Sequence, residues 1–493
     1  MFKPIRRKFM KAIFTNFIAL QILFLVLFAY IFGSLYQQGG HVHNMKILYV
    51  DYDGGAIGSS IRNAYATLQA PGYPTLIEHS ASQYPTPQDI RHEVCRTKYW
   101  GAVFTSPGAS VRLSDAIQTG SNYNKSQILS YIWNEARYPA IIDSTISSGI
   151  QSLSSSARIN YASNDTFTNT TSSSLPIIAD PWHLNSINIM TTTQGSRLIY
   201  NTLVIILILV QEFFYLGTIN SLYDAFHVYA RLNPHRIIFF RILISLCYTF
   251  IGSLCVAGMI WAFRAGWAVN GAQFVLTWLI LWLFAHVNFL TLDVFTVWLP
   301  PPYQPMALIS WVILNVTSIL VPFELSPGFY RYGYVYPAHE VYQVLLDIWS
   351  RGCNPQLHHA LPILFALELS SLYFSALGIH RRCHYATIRE ETEKQAFQDH
   401  VDRALAFELE KREQDRAARR ESVVDEKNTQ QGSAAGGEER KIDVERDRAE
   451  LTKAISKAEE NRLRKAQTHT GVGFGPAFGF GFGQDGGEGG RRD

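Results

Sequence analysis

The chain lacks most of the features that declare an activity. Its 493 residues carry a formal net charge of only +3, and no stripe of Lys and Arg interleaved with aromatics occurs, so no nucleic acid is expected as a partner. The five cysteines have no metal-ligand spacing, and G-x-x-x-x-G-K-[ST] is absent, which excludes a Walker-type ATPase site in this sequence. Neither G-x-S-x-G nor H-E-x-x-H occurs, and His339-Glu340 and His358-His359 lack the rest of any ligand set. The chain therefore reads as non-enzymatic, with no cofactor and no metal. Charged residues make up 17% and the mean hydropathy lies near zero, values typical of a soluble protein. That average conceals an oily body and a charged tail.

Six apolar stretches are present, at 13–35, 198–220, 237–263, 273–298, 306–323 and 361–379. Each supplies roughly 20 residues of low charge, about what a hydrocarbon core near 30 Å demands of a helix. Lys3, Arg6, Arg7, Lys8 and Lys11 precede the first stretch without an acidic neighbour, and basic flanks stay on the cytoplasmic side. No A-x-A site follows Leu35, so the first stretch reads as an uncleaved signal anchor. Alternation then places Arg231, His235 and Arg236, and later Arg381 and Arg382, on the inside, with the lone Arg264 in the outer loop 264–272. The expectation is an α-helical polytopic membrane protein of six transmembrane helices, in the plasma membrane or an endomembrane of a eukaryote. Residues 1–12 and the charged tail 380–493 are cytoplasmic, and 198–379 is a five-helix membrane domain. Pro300, Pro301, Pro302, Pro305 and Pro322 bracket 306–323; a re-entrant segment there would leave five spans.

Residues 36–197 then form an extracytoplasmic domain. Three N-x-[ST] sequons fall in it, at Asn124, Asn164 and Asn169, whereas a fourth at Asn315 sits inside a span. KILYVDYDGG (46–55) reads as a buried strand ending in a turn, 58–68 as a helix, 99–106 as a second strand and 109–120 as a helix. Strand and helix in alternation suggest a small α/β domain. Residues 126–160 read as helix, and SNDTFTNTTSSS (163–174) as a glycosylated linker. Asp51 and Asp53 match neither an EF-hand nor a G-x-G-x-x-G loop, so the DYDGG stretch reads as a strand-to-helix turn.

These residues also carry a resemblance. The basic start, one span and KILYVDYDGG are similar to the bacterial phage-infection membrane proteins. YWGAVFTSPGAS with LSDAI, YIWNEARYP and FYRYGYVYPAHEVYQVLLDIWSRG resemble the fungal nitrosoguanidine-resistance family. The resemblance spans roughly 1–385 and implies a fold like that of ABC-2-type permeases, with a link to drug resistance or lipid distribution. It implies no catalytic residues. Independently, 327–352 interleaves Tyr and Trp, which prefer the headgroup level, with Val341, Val344, Leu345 and Ile348 on one helical face.

Glu212, Asp293 and Glu368 lie within spans, with His286. A lone carboxylate in hydrocarbon is unfavourable by about 2.5–3.5 kcal/mol on insertion scales, so each needs a partner, water or a proton. Three acids can relay protons. Each can also be a buried structural residue bonded to a neighbouring Asn, Ser or Tyr, such as Asn288 or Asn220, or can snorkel from the cytoplasmic half, as Glu212 and Asp293 are placed to do; taken singly, each acid reads first as structural. Glu368, in LPILFALELSSLYF, is the leading functional candidate. Cys95 and Cys353 both fall outside, where a disulfide would tie the domain to the last outer loop; Cys383 beside Arg381 and Arg382 is a palmitoylation candidate. In the tail, 393–420 and about 440–466 read as charged helices, followed by a Gly-Phe low-complexity end. The leading function is transporter-like movement of an amphipathic small molecule or membrane lipid, with a separate ATPase subunit or a homo-oligomer as partner. The alternative is a non-transporting regulator or scaffold.

In sealed vesicles with the cytoplasmic face outward, added protease should digest the tail and spare an epitope placed within 36–197. Cleavage of that epitope would refute the six-span scheme.

Overall fold

The computed structural model describes residues 3–163, 175–193, 202–300, 303–424 and 453. Two compact units emerge, one built from 1–215 with 242–375 and the other from 216–241 with 376–493.

The first unit opens with α1 (Lys3–Ser34), followed by an α/β domain. In chain order this domain comprises β1 (Lys46–Asp51), α2 (Ala56–Leu68), β2 (Thr75–His79), α3 (Pro87–Cys95), β3 (Gly101–Thr105), α4 (Ala109–Thr119), β4 (Leu129–Trp133), α5 (Ser148–Ala162) and β5 (Leu184–Asn188). The sheet order is β2-β1-β3-β4-β5. β1 runs parallel to β2 and β3, while β4 is antiparallel to β3 and parallel to β5. KILYVD suits an interior position, between β2 and β3, because its side chains alternate between two covered faces. Ile47 and Tyr49 join Ile57, Ile61 and Leu113 on one side; Leu48 and Val50 join Ile90, Val94 and Phe104 on the other. Thr86 starts α3 with a capping box to Asp89, and Pro87 follows in the first turn.

Helix does not fill 126–160. Ile128, Leu129, Tyr131, Ile132 and Trp133 are buried, and the last four form β4 between β3 and β5. A short apolar run buried on both faces has no period-2 signature, so periodicity cannot separate it from buried helix. Tertiary pairing decides.

Beyond the domain come α6 (Thr202–Ala225), α7 (Pro234–Ala262), α8 (Gly271–Trp298), α9 (Gln304–Leu320), α10 (Pro337–Trp349) and α11 (Leu357–Val424). Among the described residues, five stretches are helical and apolar enough to cross a membrane: Ile13–Ser34, Leu203–Ala225, Pro234–Ala262, Gly271–Trp298 and the segment Leu357–Ala404 of α11. This is an integral membrane architecture joined to a small α/β sheet. Gln304–Leu320 is a shorter apolar helix. α11 does not stop near 379; no Gly or Pro interrupts 379–424, so helix continues into the charged sequence. The linker 164–174, the sequons Asn164 and Asn169, the 440–466 stretch apart from Lys453, and the Gly-Phe end lie outside the described residues.

Within the first unit, the α/β domain meets the segments around α10. Cys95 and Cys353 are joined by a disulfide across a sequence separation of 258. Asn44 Nδ2 donates to the Glu324 carbonyl at 3.0 Å, and Gln356 Nε2 to Thr97 Oγ1 at 3.3 Å. The Tyr138 amide donates to Tyr342 Oη at 3.2 Å, with the two rings 4.8 Å apart edge to face. α1 is held by Tyr330, whose hydroxyl donates to the Tyr30 carbonyl at 2.8 Å.

Replacing Cys353 with Ser should lower unfolding stability of the full chain by about 2–4 kcal/mol. A thermal-shift titration in detergent checks this, and an unchanged midpoint in C353S would count against the bridge.

Candidate functional site

Two places hold unusual polar side chains: the turns above the sheet, and a line of groups between apolar helices.

In an α/β sheet of order 2-1-3, ligands enter the crevice between the carboxyl ends of β1 and β3. Here that crevice is occupied by the chain itself. Gly54 turns with φ 66°, and Asp53 lies at the start of α4. The Asp53 carboxylate accepts from the Ser110 amide at 3.0 Å and from the Ser110 hydroxyl. Ser110 Oγ in turn accepts from the Ile57 amide at 3.1 Å, joining the first turns of α2 and α4. Asp51 accepts from Thr105 Oγ1 at 2.5 Å, from the amides of Asp53 and Gly54, and from Arg62 at 2.8 Å. Burial works against its charge, but these hydrogen bonds and the guanidinium prevail and hold the carboxyl below its usual range. A Cβ on Gly58 would collide with Asp51 Oδ2, so only glycine fits there. The DYDGG stretch is a self-satisfied strand-to-helix turn. Its own carboxylate fills the place an anion would take at two helix N-termini.

The second place is a seam between α8 and α11, inside the segments that can span a membrane. His286 Nδ1 meets Glu368 Oε1 in a short hydrogen bond. On the other ring face, His286 Nε2 lies 3.1 Å from Ser245 Oγ of α7. Further along, Thr291 and Ser371 hydroxyls meet at 3.1 Å, and Ser375 donates to Asp293 Oδ2 at 2.6 Å. Thr296 Oγ1 also reaches the Asp293 carbonyl at 2.8 Å. The sequence-derived candidates thus separate. His286 and Glu368 form one site, and Asp293 continues the same seam. Glu212 stands apart on α6, with 0% exposure and both carboxylate oxygens without a hydrogen-bond partner among the described residues.

Of the partners expected for the acids, a serine serves Asp293, and neither asparagine serves any of them. Asn288 accepts from Trp311 Nε1 at 2.8 Å and donates to the Phe284 carbonyl. Asn220, in the second unit, accepts from Arg241 at 2.6 Å and Arg382 at 3.0 Å, and both guanidiniums also donate to Tyr229 Oη. Snorkelling fails too, because Glu212 and Asp293 are fully buried. Cys383 is buried and Cys247 and Cys255 are exposed; burial withholds the Cys383 thiol from an acyl donor. Asn124 is exposed, its side chain accepting from the Ser126 amide at 3.0 Å. Among the described residues no group of three or more His, Cys, Asp or Glu could hold a metal ion.

Ser245 was missed from sequence. Its signal was the stripe Ser245, Thr249, Ser253 at intervals of four on an otherwise apolar helix, all buried. Asn315, the sequon inside an apolar helix, has a structural role, since its Oδ1 accepts from the Ala338 amide at the start of α10.

α10 itself carries two buried titratable neighbours outside the candidate spans. Burial drives His339 down to about 4, opposed by its contact with the Ser318 carbonyl, and pushes Glu340 up to about 7. Buried Arg137 stacks on Trp100, its guanidinium 3.5 Å from the ring centroid; desolvation draws its pKa down, opposed by Glu324.

A family model described as a protein of unknown function, DUF3533, matches residues 16–373. The chain belongs to the DUF3533 family. A relative in Saccharomyces cerevisiae, an uncharacterized endoplasmic reticulum membrane protein, is 24% identical over 415 residues, covering 75% of this chain and 80% of its own. No solved structure matches. The family match runs from α1 to residue 373, so the α/β domain and the seam as far as Ser371 fall within this DUF3533 chain's shared part, and Ser375 lies just beyond it.

Glu340 gives a test with a definite sign. Its folded pKa is raised from 4.5 to about 7, so its stabilising effect is complete below the lower value and is lost as pH rises through the upper one. Glu340→Gln should therefore match the parent at pH 4.5 and exceed it at pH 8 by about 2–3 kcal/mol. His339, lowered from 6.5 to about 4, acts oppositely: its contribution is present above the first value and fades as pH falls through the second. Thermal denaturation of E340Q across pH checks the sign.

Proposed function

We propose that this DUF3533 protein is a non-enzymatic, transporter-like protein of the endoplasmic reticulum or another endomembrane. It exports or redistributes an amphipathic compound or a membrane lipid. The observation that carries this reading is the seam. A file of His286, Glu368, Thr291, Ser371, Asp293 and Ser375 inside apolar helices is unfavourable in hydrocarbon unless used or fully satisfied, and such residues mark ion and substrate pathways. The endoplasmic reticulum location of the yeast relative supports the endomembrane.

The seam also supports six crossings with both termini cytoplasmic. His286, Thr291 and Asp293 meet Glu368, Ser371 and Ser375 in ascending order, so α8 and α11 run in the same direction. The chain must return between them. α9, with 17 residues, reaches about 25 Å; Gln304 at its start bonds to the Thr296 and Leu299 carbonyls, and Trp311 bonds to Asn288. It lies antiparallel to α8. α10 follows as an amphipathic piece with an aromatic surround, suited to the membrane interface. This layout is in keeping with the ABC-2-type, phage-infection and nitrosoguanidine-resistance resemblances, and with drug resistance as the cellular outcome. The energy then comes from an ion gradient or from a separate ATPase partner.

One observation favours a second reading. α11 continues unbroken to Val424, far past its apolar part, as a charged arm able to engage other proteins. A regulator or scaffold of other membrane proteins would use it.

The full chain reconstituted in phosphatidylcholine vesicles should move a fluorescent phospholipid between leaflets, under a pH gradient or with a co-purified ATPase added. The rate should exceed that of protein-free vesicles and fall at least ~10-fold in Glu368→Gln. Inactivity in every condition, with the cellular resistance phenotype retained, would move the assignment to the regulator.

A further inference from the structure

We infer that Ser245, His286 and Glu368 form one intramembrane proton-binding site that takes up and releases a proton as the helices around it part. The inference deepens the transport reading and rests on it for its role, because it makes protons the coupling ion.

The argument begins with Ser245 Oγ. It lies 2.9 Å from the Ile242 carbonyl and 3.1 Å from His286 Nε2. A hydroxyl has one proton and two lone pairs. With Nε2 unprotonated, Ser245 donates to the ring. With Nε2 protonated, Ser245 turns its proton to the Ile242 carbonyl and accepts from the ring. Both states of His286 are satisfied without moving a backbone atom. A purely structural contact needs only one of them.

Glu368 supplies the second half. Oε1 is engaged by His286 Nδ1, whereas Oε2 is buried with no hydrogen-bond partner among the described residues. An ionised oxygen left so is far more unfavourable than a protonated one. With one proton shared between ring and carboxyl, the pair is neutral as either His–GluH or HisH⁺–Glu⁻. A second proton forms one O–H bond at Oε2 and leaves the site at +1; losing the shared proton leaves it at −1. Ser245 and His286 are 0% and 3% exposed, and the Glu368 side chain is 16% exposed within the membrane-spanning part of α11, where its surroundings are lipid rather than water; neither charged state suits the closed seam, and proton exchange with water requires it to open. That requirement couples proton to movement.

Within this unit, the other titratable side chains on these helices are Glu212 and Tyr215 on α6, Cys247, Tyr248 and Cys255 on α7, Asp293 on α8, and His358, His359 and Tyr373 on α11. Among the described residues, none of these hydrogen-bonds to the pair. α9 carries no titratable group.

Infrared spectra of the full chain in phosphatidylcholine vesicles, recorded from pH 4 to 9, test the site directly. A protonated-carboxyl band should titrate in the parent, disappear in Glu368→Gln, and shift its midpoint by at least ~0.5 pH unit in Ser245→Ala, a substitution small enough to leave the helices packed. A titrating band unchanged in both variants, or no titrating band, overturns the inference. The phospholipid assay separates the two ideas. Lipid movement indifferent to the pH gradient and to Glu368→Gln keeps transport and overturns proton coupling. A Glu368 band that titrates without lipid movement keeps the site and overturns the transport reading.

Discussion

In hydrocarbon no water is present to satisfy a polar atom, so one left without a partner within the protein is strongly unfavourable. The membrane helices are organised by that constraint. Glu368 faces His286, Thr291 faces Ser371, and Asp293 faces Ser375. Since each pair joins α8 to α11, helix pairing, direction and register follow together: sliding one helix past the other by a turn would strand three pairs at once. Apolar contact alone would allow such slippage, because lipid tails are as apolar as leucine.

The α/β domain solves a different problem with water available. Its sheet places a ligand crevice above β1 and β3, yet Asp53 and Ser110 close it and Asp51 is consumed by Thr105, Arg62 and two backbone amides. The domain is held to the membrane-proximal segments by the Cys95–Cys353 bridge and by Tyr138 on Tyr342. A filled crevice and a covalent tether describe a domain built to position itself rather than to capture a ligand at that edge.

What was legible in the sequence divides along physical lines. The apolar stretches were readable because span length is a local property. β1 and β3 were readable as short apolar runs ended by turn residues. β4 was misread as helix, since burial on both faces erases its period. β2, with Glu78 and His79, and β5, with Asn185, Ser186 and Asn188, went unrecognised: each mixes polar residues into an edge position, where only pairing with β1 or β4 makes a strand. The acids in the spans were visible one by one, but their partners were not. His286 and Glu368 are 82 residues apart, and nothing in composition links them. Ser245 was overlooked because a serine in an apolar helix is usually content with its own i−3 or i−4 carbonyl.

The junction between domain and helices has one shared element. Gln273 at the start of α8 accepts the Asn270 capping interaction and donates to the Ile348 carbonyl at 2.7 Å, while Trp349 Nε1 donates to Thr277 at 3.2 Å. α10 thereby grips the first turns of the helix that carries His286, and the same α10 supplies Tyr342 to the α/β domain. A helix transmits displacement along its axis far better than across it, since its backbone bonds run lengthwise. α10 and α8 form a continuous path of contacts from the α/β domain to the helix that carries His286. His339 and Glu340 are both buried on this α10, and burial disfavours the charged form of each. α10 thus holds α8 near its start, at Gln273 and Thr277, and the seam holds it from mid-helix onward, at His286, Thr291 and Asp293.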